Sequence, residues 1–307
     1  MRRSMLIAAV LIAAAMFWAV PAFPGTIPSS VVPNDARWLA HFDMEKFVAT
    51  SLYGYLDRSG AFQVKADKIN GWLKIDIKKD ITGLTLFGLG DDKKDEVIVV
   101  LAGKFDRSAI LGQISLQEGH KEIPYGERKI YSTGDDEFGA FANDRLIVLG
   151  DSQAAIQKSL DTADSKGRNF SGSPLSDALK EVPSGAFLSG FVPNLSGLGK
   201  EIGESKMLEQ ATGLFFLVQE KSDHILLHLQ LTADNAEKAK NITDIIQGLM
   251  ALGRMSGGQD KMSEMMQVLD GLRVGQDGKV IKLDFERPSK EIADLLTHNK
   301  SVKGLLD

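Results

Sequence analysis

The chain has no cysteine in 307 residues. That removes disulfides, thiolate zinc sites and lipid attachment at an N-terminal cysteine together. It also lacks a surplus of positive charge, with 36 basic against 41 acidic residues and a formal net charge of −5. An acidic chain without a basic stripe excludes the electrostatic footprint of a nucleic-acid binder or of a protein held on anionic lipid. Extended catalytic signatures are absent too: there is no His-Glu-x-x-His, no Gly-x-Ser-x-Gly and no phosphate loop with its Lys-Ser/Thr. Paired carboxylates distant in sequence carry no such local signature and stay open.

Long apolar runs are also lacking, with one exception. Arg2 and Arg3 precede an uncharged stretch from Met5 to Val20, followed by Val20-Pro21-Ala22. A basic start, an apolar middle and a small-residue exit form the pattern of a secretory signal peptide, with cleavage expected after Ala22. The alternative is an N-terminal anchor in the inner membrane, although the run falls short of the ~20 residues a span needs. Without Arg2 and Arg3 the balance is 34 basic to 41 acidic residues, or −7. The expected address is the periplasm or the exterior. An exported chain without disulfides must rest on its hydrophobic cores, and an apolar content of 43% with 25% charge is that of an ordinary globular protein.

What is present is a hairpin pattern that occurs twice. From Gly83 to Gly103 two apolar runs flank a charged turn, and Asp106 then caps a helix expected over 107–114. From Gly213 to Leu231 the order returns, followed by a long helix over 234–255 with Ile242, Ile245, Ile246 and Leu249 at helical spacing. Before the hairpins, Pro33 to Ala36 matches Pro183 to Ala186, each leading into a strand, over 36–43 and 187–192. Short strands over 128–133, 138–143 and 146–149 and a helix over 153–160, capped by Asp151 or Ser152, close the first unit. A hairpin over 272–285, turning at Asp277-Gly278, and a helix over 289–298 close the second. A helix over 61–73 has no counterpart in the second unit. The resulting expectation is an α+β fold made of two diverged copies of an antiparallel-sheet-plus-helices unit. Its divisions are a signal peptide over 1–22, an extended leader over 23–34, a first repeat over 35–165 and a second over 166–307.

Three stretches carry a family resemblance: Gly71 to Leu84 with its Lys79-Asp80-Ile81, the Gly103 to Asp106 step from hairpin to helix, and Ala142 to Asp151. They resemble the corresponding parts of exported bacterial proteins of unknown function built as a tandem α+β repeat. The resemblance spans Val32 to Asn299 and rests on turns and caps. It implies the architecture and brings no activity with it.

Four clusters could carry chemistry. Gly150-Asp151-Ser152 is similar to a hydrolase nucleophile block, but Asp294 and His298 do not form that family's Asp-x-x-His, and a helix cap accounts for the pair. His224 and His228 share a strand face ~13 Å apart, too far for one metal ion. The acidic turns Asp91 to Glu96 and Asp135 to Glu137 read as hydrated loops, since a calcium loop alternates its ligands around a glycine. Met250, Met255, Met262, Met265 and Met266 are concentrated over two expected helices. They fit an adaptable core, an apolar groove or, more remotely, thioether ligands for Cu(I).

The leading reading is therefore a non-catalytic exported protein, a binding or structural module without a cofactor, its partner unknown and possibly another envelope protein. The alternative is a carrier of a small apolar ligand, remotely of copper, held between the halves near the methionines. A hydrolase of unrecognised type comes third. One structural expectation is sharp. Val97 to Leu101 is apolar on both faces whereas His224 to Leu231 alternates, so Ile98 and Val100 should be covered on their second face by the 61–73 helix or a partner.

Overall fold

β-branched and leucine-rich runs with period-two alternation set the sheet, and short polar or glycine turns fold it back on itself. A computed structural model describes residues 27–59, 75–91, 94–134, 137–195, 211–255 and 271–298. Its strands are β1 (Trp38–Asp43), β2 (Ile81–Asp91), β3 (Lys94–Gly103), β4 (His120–Tyr125), β5 (Arg128–Thr133) and β6 (Phe138–Asn143). They continue with β7 (Leu146–Gly150), β8 (Ala186–Val192), β9 (Ala211–Lys221), β10 (His224–Ala233), β11 (Arg273–Asp277) and β12 (Val280–Pro288). All twelve join one antiparallel sheet in the order β11-β12-β10-β9-β8-β1-β2-β3-β7-β6-β5-β4. The fold is α+β, as the sequence suggests.

The middle of the sheet is a pairing between distant parts of the chain. β1 runs antiparallel to β8, with Leu39 opposite Phe191 and Phe42 opposite Leu188. Outward from this seam each flank places a long hairpin and then further antiparallel strands: β2-β3-β7-β6-β5-β4 on one side, β9-β10-β12-β11 on the other. The stretch 161–174, which spans the expected division between the two repeats, is folded onto the first flank. Phe170 is buried, its N–H donates to Val32 O at 2.9 Å, and Asn34 N donates to Arg168 O at 3.0 Å.

The helices are α1 (Met44–Val48), α2 (Ser51–Ser59), α3 (Ile77–Asp80), α4 (Arg107–Ile114), α5 (Gln153–Ala163), α6 (Pro174–Lys180), α7 (Ala236–Met255) and α8 (Ser289–His298). Their starts follow from capping. Asp43 accepts from Lys46 N, Asp106 from Ala109 N, Ser152 from Ala155 N and Ser173 from Ser176 N. On one sheet face α1, α2, α4 and α8 share a core with Phe42, Phe47, Leu84, Leu101, Phe187 and Ile225. Farther along the same face, Ala239 and Ile242 of α7 pack on Leu231, Ala233 and Ile281. On the opposite face α5, α6 and the segment around Val31 and Val32 cover Leu39, Phe87, Ile98, Val100 and Val148.

Several expectations need correction. Ile98 and Val100 are fully buried, at 0% exposure, and α5 with the leader covers them. The 61–73 segment expected to do so lies outside the described residues. The leader is not merely extended: Ser29–Val31 is a 3-10 turn, and Val31 and Val32 seal the core. Helices α2, α3 and α6 and strand β4 were not expected. The last hairpin turns one residue later than expected, at Gly278-Lys279, because Asp277 pairs with Val280. Gly278 alone of the two has positive φ, +55°, the requirement at the first central position of a II′ turn. In α7 the helical spacing splits into two stripes: Ile242 and Ile246 face the sheet, and Ile245 and Leu249 point to solvent.

Candidate functional site

Helix α7 is two helices in character. Its first half alternates charge with small and apolar residues, Asn235 caps it by accepting from Lys238 N at 2.9 Å, and Gln276 Nε2 donates to Ala236 O at 2.9 Å. Lys240 pairs with Asp244 across one turn. From Ile245 to Gly253 the sequence then carries no charge at all. Ala239, Ile242 and Met250 are buried and Ile246 is half-buried, so the sheet takes one stripe. A second apolar stripe is left outside: Ile245, Leu249 and Leu252 are 44%, 54% and 64% exposed. These positions are spaced i, i+4, i+7, so they lie on one side of the helix. An isolated exposed leucine needs no explanation, whereas three on one helical face form an apolar patch that calls for one.

Beside α7 on the same sheet face, Leu227 of β10 stands opposite Phe285 of β12, and Phe216 of β9 lies one diagonal step away. All three are apolar and only half-buried. Phe216 lies across the backbone of Gly190, where a Cβ would meet its Cζ at 2.4 Å. The aromatic ring thus uses a position that only glycine leaves free.

On the reverse face of the same strands the chemistry is polar. His228 Nδ1 donates to Asp284 Oδ1 at 2.6 Å, and Gln230 Nε2 donates to His228 Nε2 at 2.7 Å, an arrangement that puts the ring proton on Nδ1. Phe215 meets the imidazole edge-on, with ring centroids 6.4 Å apart. His224 does not join this group; its Nδ1 bonds Ser222 O at 3.0 Å. Among the described residues no three metal-ligating side chains converge on one point.

The methionines singled out by sequence divide. Met250 is buried under α7, and Met255 is the helix's last residue. Met262, Met265 and Met266 lie outside the described residues. Helix α7 packs chiefly on β10, β11 and β12, and its buried stripe shares a cluster with Val192 of β8 and Trp38 of β1. Ser152 is the cap of α5, its Oγ accepting from Ala155 N at 3.3 Å. Sequence reasoning missed the outward stripe, although the uncharged run after Asp244 was its signal: a helix apolar on two sides cannot bury both against one sheet.

No protein family profile matches the chain, and no characterised protein matches it in sequence. Among solved structures it is similar to TP0453. The likeness to crystal form III has a TM-score of 0.53 at 13% identity, covering 89% of this chain and 98% of that one. Crystal form I gives a TM-score of 0.49 at 10% identity, over 89% and 97% of the two chains. At such identity the likeness is one of fold, and the chain shares the overall α+β architecture of TP0453 along nearly the whole of that protein's length.

Proposed function

We propose that this is an exported protein of the bacterial envelope or exterior that acts by binding a partner rather than by catalysis, with the outward face of α7 as a contact surface. The observation that carries the reading is the exposure of Ile245, Leu249 and Leu252 on a helix otherwise fastened to the sheet. The basic, apolar and small-residue order at residues 1–22 supports export. Helix capping accounts for Asp151-Ser152, the nearest approach to a catalytic motif. A photo-crosslinker at Leu249, expressed in the source organism, should yield a defined protein adduct that the same probe at exposed Lys104 does not. Adducts at neither position, or lipid adducts alone, would overturn the protein-partner reading. The exported fraction should begin at Phe23 by mass spectrometry, and a full-length chain there would replace cleavage with anchoring.

A second reading has its own observation. Phe216, Leu227 and Phe285 form a half-open apolar strip on the helix-bearing face, and such a strip suits a small apolar ligand. Native mass spectrometry of protein taken from the source organism should then show a retained small mass that Phe216→Ser releases. Ligand-free protein would remove this reading.

A further inference from the structure

One carboxylate ties together helices from opposite ends of the described chain. Glu220 stands on β9, on the helix-bearing face and opposite Ile225 in the ladder. Its Oε1 accepts from Ser51 N at 2.8 Å. Its Oε2 accepts from Leu52 N at 2.9 Å and from Ser289 Oγ at 2.8 Å. Ser51 and Leu52 open α2, and Ser289 opens α8 with no exposed surface. The first N–H groups of a helix have no carbonyl within it to bond, and both helix starts carry partial positive charge. Glu220 answers both needs at once for α2, and through the Ser289 hydroxyl it reaches the start of α8. Farther along, Leu52 and Leu56 of α2 pack into the same core as Ile292, Ala293 and Leu296 of α8.

We infer that Glu220 makes α2 and α8 one opening unit, so that the two helices leave the sheet together. The polar clasp at their starts and the shared apolar contact along their lengths act on the same pair. Loss of the clasp from either side therefore loosens both. Whatever perturbs the C-terminal helix is transmitted to residues 51–59 without passing through the rest of the first flank.

Hydrogen exchange on the full chain, read by mass spectrometry, tests this. Ser289→Ala cuts only the link to α8 and leaves the Glu220 carboxylate on α2. Exchange should quicken in both 51–59 and 289–298, by similar factors of about tenfold, with 153–163 unchanged. Glu220→Gln should quicken both further. If Ser289→Ala quickens α8 alone, Glu220 is two independent caps and the inference fails. It also fails if neither helix responds, or if the change spreads to α5 as general destabilisation. Should Glu220→Gln not fold, the Ser289→Ala result decides by itself.

Discussion

The two flanks treat one sheet face in opposite ways. Ala102 pairs with Gly83 and Thr232 with Gly213. Stepping back along each strand from these matched positions, Val100 and Ile98 stand where Gln230 and His228 stand. Over Val100 and Ile98 lie α5 and the leader, and both residues are fully buried. Over Gln230 and His228 no helix lies among the described residues, since the helix that follows β12 folds onto the other face against α2. The side chains follow the cover. Where a second layer exists the strand is apolar on both faces, and where it does not, the strand alternates. The direction taken by the closing helix thus sets the composition of the strands beneath it.

Exchanging residues between the flanks tests this most severely. Val100→Gln, or Ile98→His, buries a polar group without a built partner and should cost about 4 kcal/mol. The reverse changes, Gln230→Val and His228→Ile, should stay within about 1 kcal/mol. Urea denaturation midpoints measure all four, and equal losses on both flanks would break the comparison. Within the second flank the two sides of α7 should differ similarly. Ile242→Ala should cost about 3 kcal/mol, while Leu249→Ser should cost no more than about 0.5 kcal/mol. At the seam, Gly190→Ala should cost about 2 kcal/mol, read as a lowered Tm, because the new methyl meets Phe216 and stands 3.0 Å from Leu39 O.

The smallest effect belongs to the tie between the β4–β5 edge and α5. Hydrogen bonding from Arg128 holds the Asp164 carboxyl below its ordinary value of 3.8, with Lys166 adding to it. A carboxyl lowered on folding adds stability that is complete above its ordinary value and fades as pH falls through the lowered one. Arg128→Ala should therefore lower stability slightly at neutral pH, leave the acid end unchanged, and so flatten the acid limb of the stability–pH curve. An unaltered acid limb would show that this edge is held by packing alone.

Much of this architecture is legible in the residues, and the failures have physical causes. Alternation and turn chemistry mark β2, β3, β9, β10 and the β5–β7 meander, and the Asp106 and Ser152 caps fall where the sequence places them. Strand β4, His120–Tyr125, is hidden by Pro124 and by His120, Lys121 and Glu122, polar side chains suited to an edge. Helix α2 contains Gly54 and two tyrosines, weak helix formers that tertiary packing overrides. The site was half legible. Ile242, Ile245, Ile246 and Leu249 satisfy helical spacing perfectly well, and periodicity cannot say which of two apolar stripes the sheet will take. The stripe the sheet takes is the one that carries Ala239, which is fully buried. Glu220 was invisible, because its partners Ser51 and Ser289 are distant in sequence and become neighbours only in the folded chain.

The seam between β1 and β8 has a consequence for how the molecule comes into being. Every contact within the first hairpin is local, yet the outer edge of Trp38–Asp43 meets its partner only when Ala186–Val192 is available. Until then a growing or partly folded chain carries an open strand edge at the future centre of its sheet. Such an edge can pair with the wrong neighbour, and closing so long a loop is slow. Refolding should therefore be limited by the joining of the two flanks and should lose yield as protein concentration rises.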